Sequence, residues 1–187
     1  MLTRFTNGLI RFSKGWVALA ALTLFVLFAL FILPVQTRSV RTSPIPDLTL
    51  VYSASDLYGM AEAYGPQGRL DYVHIRLSFD LAWPLVYGFF LATAMGWAFG
   101  KAFPPASRWR LATLLPLAGV ALDFLENLST SLVMLRFPAI TPVADMLSPV
   151  FTFSKWTVLG ISLIFLAAGC LTGLRKAARS KASTPNP

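Results

Sequence analysis

Cysteine, histidine and acid are scarce in this 187-residue chain, and each shortage removes a class of chemistry. The single cysteine, Cys170, leaves no intrachain disulfide and no redox pair. One histidine, His74, beside that cysteine removes the usual zinc sites, which draw three or four ligands from His and Cys with some carboxylates. A Ser-His-Asp centre would have to use His74, which no serine motif accompanies. Gly-rich phosphate loops are missing. No metal site and no cofactor is expected.

The rest of the composition describes a chain dissolved in lipid. Apolar residues make up 56% and charged residues 13%, with a positive mean hydropathy of +0.64, values that a soluble domain of this length rarely reaches. The formal charge of +8 does not point to nucleic acid, because the basic residues lie in short clusters flanking apolar runs. Four runs, 16–35, 77–99, 111–135 and 150–172, are long enough at about 1.5 Å per residue to cross a hydrocarbon layer of roughly 30 Å. Lipid offers no partner for backbone polar groups, so such runs must be helices. The expected fold is all-α: a four-transmembrane-helix bundle over 1–176, a short extracytoplasmic interfacial helix, and a disordered cytoplasmic tail at 177–187.

Orientation follows from lysine and arginine. Arg4, Arg11 and Lys14 precede the first run, Lys101, Arg108 and Arg110 lie in the second loop, and Arg175, Lys176, Arg179 and Lys181 end the chain, with no acid in any of these pieces. The first loop mixes both signs. The positive-inside rule therefore places both termini in the cytoplasm. The first run resembles a secretory signal only superficially: it exceeds the usual h-region and carries no small-x-small site, so it is expected to remain as an anchor.

In the first loop, Ser53-Ala54-Ser55-Asp56 opens a helical pattern with Leu57, Ala61 and Tyr64 on one face, and Gly65-Pro66 is expected to stop it. That helix is either a lid over the bundle mouth or a surface helix burying its apolar stripe. In the second spanning run, Gly88, Ala92, Gly96 and Gly100 recur every fourth residue, a stripe that lets a neighbouring backbone approach closely.

Ionisable residues inside the runs need an explanation, because a lone charge at the centre of a spanning helix costs about 2.5–3.5 kcal/mol on insertion scales. Arg76, Asp80, Pro84 and Tyr87 share one helical face, so Arg76 can pair with Asp80 one turn away. The segment Asp123-Phe124-Leu125-Glu126-Asn127 sets two carboxylates about one turn apart, and Lys155 enters from the fourth run. Arg76, Asp80, Tyr87, Asp123, Glu126, Asn127 and Lys155 are the candidate binding residues, gathered in one cluster that opens outward. Three carboxylates then face two cations, and the like charges and burial mark one carboxylate, Asp123 first, for protonation. The cluster is either a proton-linked or cation-attracting pocket or an ion-pair network that fixes helix register.

The succession Tyr64-Gly65-Pro66-Gln67-Gly68-Arg69-Leu70-Asp71-Tyr72, then Asp80 with Pro84 and Tyr87, then Asp123-Phe124-Leu125-Glu126-Asn127, then Phe151-Thr152-Phe153-Ser154-Lys155-Trp156 resembles a group of small bacterial four-helix integral membrane proteins of unassigned function. The likeness covers about residues 50–160. It implies a bacterial inner-membrane location and supplies no activity, ligand or cofactor.

Three functions fit these residues. A non-enzymatic bundle would bind another membrane protein, a second copy of itself or a small amphiphile. An enzyme acting on a lipid or isoprenoid would use Asp123 or Glu126 as its catalytic acid or base, with Lys155 holding an anionic group. A proton-coupled transporter would have to form an oligomer, since four helices without a repeat do not build alternating access alone. An enzyme is expected to keep a pocket open to lipid between helices; a scaffold is expected to show the polar cluster fully paired and closed.

Overall fold

The computed structural model describes residues 2–34 and 44–182, and every regular element among them is helical. Helix α1 (Leu2–Phe12) precedes α2 (Gly15–Leu27), which ends in a π-helical turn at Phe28–Ile32. A short 3₁₀ turn, Pro46–Leu48, leads to α3 (Ala54–Leu77) and then α4 (Phe79–Ala102). A second 3₁₀ turn, Arg108–Leu114, runs into α5 (Leu115–Arg136), and α6 (Ala144–Ala182) closes the chain. Four helical stretches, Gly15–Ile32, Ala54–Ala102, Arg108–Arg136 and Ala144–Arg179, are long and apolar enough to cross a membrane.

Helices α4, α5 and α6 form the centre, packed side by side in alternating directions. Gly88 of α4 lies against Val120 of α5, and Gly119 of α5 lies against Leu159 of α6. Helix α2 rides on α4 through stacked rings: Phe25 on Trp83 and Phe90 at 5.6 and 5.1 Å, Phe28 on Phe79 at 5.5 Å. Most of its other side chains are exposed, including Leu19, Leu24 and Leu27. That combination suits a helix with one face on protein and the rest in hydrocarbon.

Three local findings depart from the sequence reading. First, Gly65-Pro66 bends the loop helix instead of stopping it. Gly65 takes φ +64°, which only glycine adopts freely, and Pro66 restarts the helix where a missing N–H costs nothing, so α3 runs 24 residues up to the turn that begins α4. It is longer than the short interfacial helix expected. Its first half is held by a capping box between Ser53 and Asp56, and Leu57, Met60 and Ala61 bury against Val133 and Met134 of α5. Second, α6 begins before Pro149 and continues through 177–182, where a disordered tail was expected. Alanine, lysine and arginine are good helix formers, basic residues suit a helix C-terminus, and Lys176 Nζ donates 2.6 Å to the Ala102 carbonyl; residues 183–187 lie outside the described ones. Third, the basic N-terminus is itself a helix. In α1 Thr6 is buried while Leu2, Phe5 and Phe12 are exposed.

The small-residue stripe on α4 therefore serves two neighbours. Gly88 admits α5, whereas Gly96 and Gly100 admit the end of α1, at Ser13 and Ile10.

Candidate functional site

At the end of the bundle nearest the first loop, six charged side chains meet on five elements, the Pro46–Leu48 turn and helices α3 to α6. Burial is nearly complete for most: Arg76, Asp80, Asp123, Glu126 and Lys155 are all buried in the fold. Lys155 is the hub. Its Nζ lies 2.5 Å from Glu126 Oε2, 2.8 Å from Asp47 Oδ1 and 3.7 Å from Asp123 Oδ1. Arg76 is the second centre, bonded through Nη1 to Asp80 one turn along and to Asp47 Oδ2 at 2.9 Å, with its guanidinium 4.6 Å from the centre of the Tyr72 ring.

Neutral groups complete the network. The Tyr87 hydroxyl donates 2.8 Å to Asp123 Oδ2. Asn127 Nδ2 donates at 3.3 Å to both the Asp80 carbonyl and Asp123 Oδ1. Thr152 Oγ1 stands 2.5 Å from Glu126 Oε1 and 3.0 Å from the Tyr52 hydroxyl. All seven residues singled out from the sequence thus fall within one connected network: Arg76 and Asp80 near one side, Glu126 at the other, with Tyr87, Asp123, Asn127 and Lys155 between.

Sequence reasoning missed Asp47. It lies in the loop, outside every apolar run, yet it bridges the two cations, and its backbone carbonyl accepts 2.8 Å from Trp156 Nε1. The available signal was Pro44-Ile45-Pro46-Asp47: two prolines stiffen the segment and present one acid at a defined place. Burial pushes the Asp47 carboxyl up, but Arg76 and Lys155 together outweigh that and hold it well below its ordinary value of 3.8. The count becomes four carboxylates, Asp47, Asp80, Asp123 and Glu126, against two cations.

Asp47, Asp123 and Glu126 offer oxygens within 4.8 Å of one another, a spacing that suits a metal ion. The Lys155 ammonium contacts all three, so the positive charge at that place comes from the chain itself.

Beside the network lies a cavity of about 370 Å³ between α2, α4 and α6, within the range of small-molecule sites. Its polar end is Asp47, Arg76, Asp80, Asp123 and Lys155. Its body is apolar, walled by Phe25, Trp83, Phe90, Leu91, Leu159 and Leu163. Ile45 and Leu48 close it on the loop side. Leu163 is 54% exposed while Leu91 is 5% exposed, so the cavity runs inward from the surface of α6 to the face of α4. Glu126 and Asn127 do not line it. Of the two carboxylates considered for catalysis, Asp123 lines this cavity and Glu126 does not.

No family model matches the chain, and no curated protein and no solved structure matches it. Function has to be argued from the chemistry of this site alone.

Proposed function

We propose that the chain is an integral protein of a bacterial inner membrane, with both termini cytoplasmic, that binds a small amphiphile in the cavity between α2, α4 and α6. The observation that carries this reading is the joining of an apolar, aromatic-walled space to a buried polar end made by Arg76, Asp80, Asp123 and Lys155. An amphiphile has that same division. Its tail would replace lipid contacts with Phe25, Trp83 and Phe90, and its head would meet fixed hydrogen-bonding groups that are already paired and oriented. Phe79 to Leu91 spans about 18 Å of helix rise, so the site reaches from the loop end to the middle of α4. Binding without chemistry is favoured because each ionised group at the polar end already has a partner of opposite sign.

A neutral long-chain alcohol carrying a photoactivatable group on its tail tests the reading in reconstituted vesicles. Labelling is expected at Leu91, which bulk lipid does not reach, at a level above that of exposed Leu171. Leu163→Trp at the exposed rim is expected to suppress the Leu91 label and leave Leu171 unaffected. Labelling spread over exposed apolar residues with none at Leu91 would overturn it. The orientation is checked separately in cells with Cys170 replaced: a cysteine at exposed Ser55 should react with an impermeant reagent, and one at exposed Ala106 should not.

A further inference from the structure

The charge at the polar end selects the head group. With all groups ionised, four carboxylates against two cations leave a formal charge of −2 in a buried place. Such an excess is relieved by protons or by a bound cation. Both native cations are already shared: Arg76 spans Asp47 and Asp80, and Lys155 spans Asp47, Asp123 and Glu126. An anionic head would therefore deepen the excess to −3, whereas a singly charged cation would reduce it to −1.

An independent feature of the same cavity points the same way. Phe79, Trp83 and Tyr87 line the same cavity as Asp80 and Asp123, Tyr87 in direct contact with Asp123, and aromatic faces attract cations, most strongly where water is excluded. An alkyl ammonium would meet carboxylates at its charge, rings at the carbons around it, and Phe25, Phe90 and Leu159 along its tail.

We infer that the ligand is a cationic amphiphile, an amine or quaternary ammonium with a single apolar tail, and that phosphate-headed lipids are excluded. This rests on the amphiphile reading of the cavity and narrows it. It also removes the role of Lys155 as the holder of an anionic group, since that ammonium is committed to three carboxylates.

Three photoactivatable probes with the same twelve-carbon tail and an ammonium, hydroxyl or phosphate head separate the two claims. The readout is the ratio of Leu91 to Leu171 labelling, which cancels differences in partition into the bilayer. The ammonium probe is expected to reach half-maximal Leu91 labelling at a concentration lower by about tenfold or more than the phosphate probe, with the hydroxyl probe between them. Asp80→Asn combined with Asp123→Asn is expected to abolish that order while the hydroxyl probe still labels Leu91. Equal or tighter labelling by the phosphate probe overturns the cation inference and leaves the amphiphile reading standing. Retention of the ammonium preference in a double variant that still takes the hydroxyl probe overturns the assignment to these two carboxylates. Failure of all three probes at Leu91 overturns the amphiphile reading itself. The wild-type comparison decides the charge question even if the double variant does not fold.

Discussion

The two ends of this bundle solve packing in opposite ways. Toward the first loop, α4, α5 and α6 meet through Asp80, Asp123, Glu126 and Lys155, with Asp47 and Arg76 brought in by the loop and α3. Toward the termini α4 and α6 meet through Met95, Ala98 and Phe99, with Phe165 and Leu166 packed against them, and through Gly169, where an added methyl would sit 2.8 Å from the Phe99 ring; Gly96 of α4 admits the end of α1 at Ser13 in the same way. Dispersion contacts are short-ranged and improve as backbones approach. Ion pairs instead fix a few atoms at set distances, and the cavity lies beside the charges. The end that is costlier to bury is the end that has room for a ligand.

The largest effect should come from removing the hub of the polar end. Lys155→Met leaves Asp47, Asp123 and Glu126 facing Arg76 alone, and breaking a buried pair typically costs about 3–5 kcal/mol. Glu126→Gln removes one partner of Lys155 and leaves two, so its loss should be smaller. The double variant should recover part of the Lys155→Met loss and no more, because Asp47 and Asp123 remain without their ammonium. Thermal unfolding in detergent for the four proteins measures this cycle. Strictly additive losses would show that Lys155 and Glu126 do not interact, and the contrast between the two ends would fail at its centre.

How much of that contrast is legible in sequence depends on what carries it. Helical periodicity places Arg76 above Asp80 and Asp123 one turn from Glu126, and comparable depth suggests Lys155 against Glu126; these pairings need only helix geometry. The four apolar runs need only length. What periodicity does not reach is contact between elements of different kinds. Asp47 joins the network from a short 3₁₀ turn in the loop, 108 residues before Lys155. The Gly96 stripe reads as a site of close approach without naming the neighbour, which is an N-terminal helix rather than another spanning one. The cavity is illegible in sequence because it depends on how rings of α2 stack on those of α4 and on which side chains of α6 face them.

The loop strap gives a second, pH-dependent test of the polar end. Asp47 is held below its ordinary value of 3.8 in the folded protein, so across that window the unfolded chain binds more protons than the folded one. Stability then rises with pH. The contribution of Asp47 is fully present above 3.8 and is lost as pH falls through that value toward the lowered folded one. Melting temperatures taken from about pH 6 to about pH 3 should fall for the native protein, and fall less steeply for Asp47→Asn. Curves of equal slope would show that Asp47 is not bound by Arg76 and Lys155, and the loop would have to be removed from the site.

The smallest effects belong to the glycines and test the close-packed end. At Gly96 an added Cβ would lie 2.7 Å from Ser13 Cβ and 3.7 Å from Ile10 Cα, atoms that cannot rotate away, so the backbone of the α1–α2 junction must move. Gly96→Leu should destabilise the bundle by about 1–3 kcal/mol, the usual range for overpacking. At Gly160, on the same length scale but in α6, a Cβ meets nothing within 4 Å. Gly160→Ala should therefore leave stability unchanged or raise it by up to about 1 kcal/mol, because alanine loses less backbone entropy in a helix. The pair of variants distinguishes contact from propensity: both are helix-interior glycines, and only one has a neighbour. If Gly96→Leu unfolds at the native temperature, α1 does not pack on α4, and the terminal end is held by Phe99 and its surroundings without the N-terminal helix.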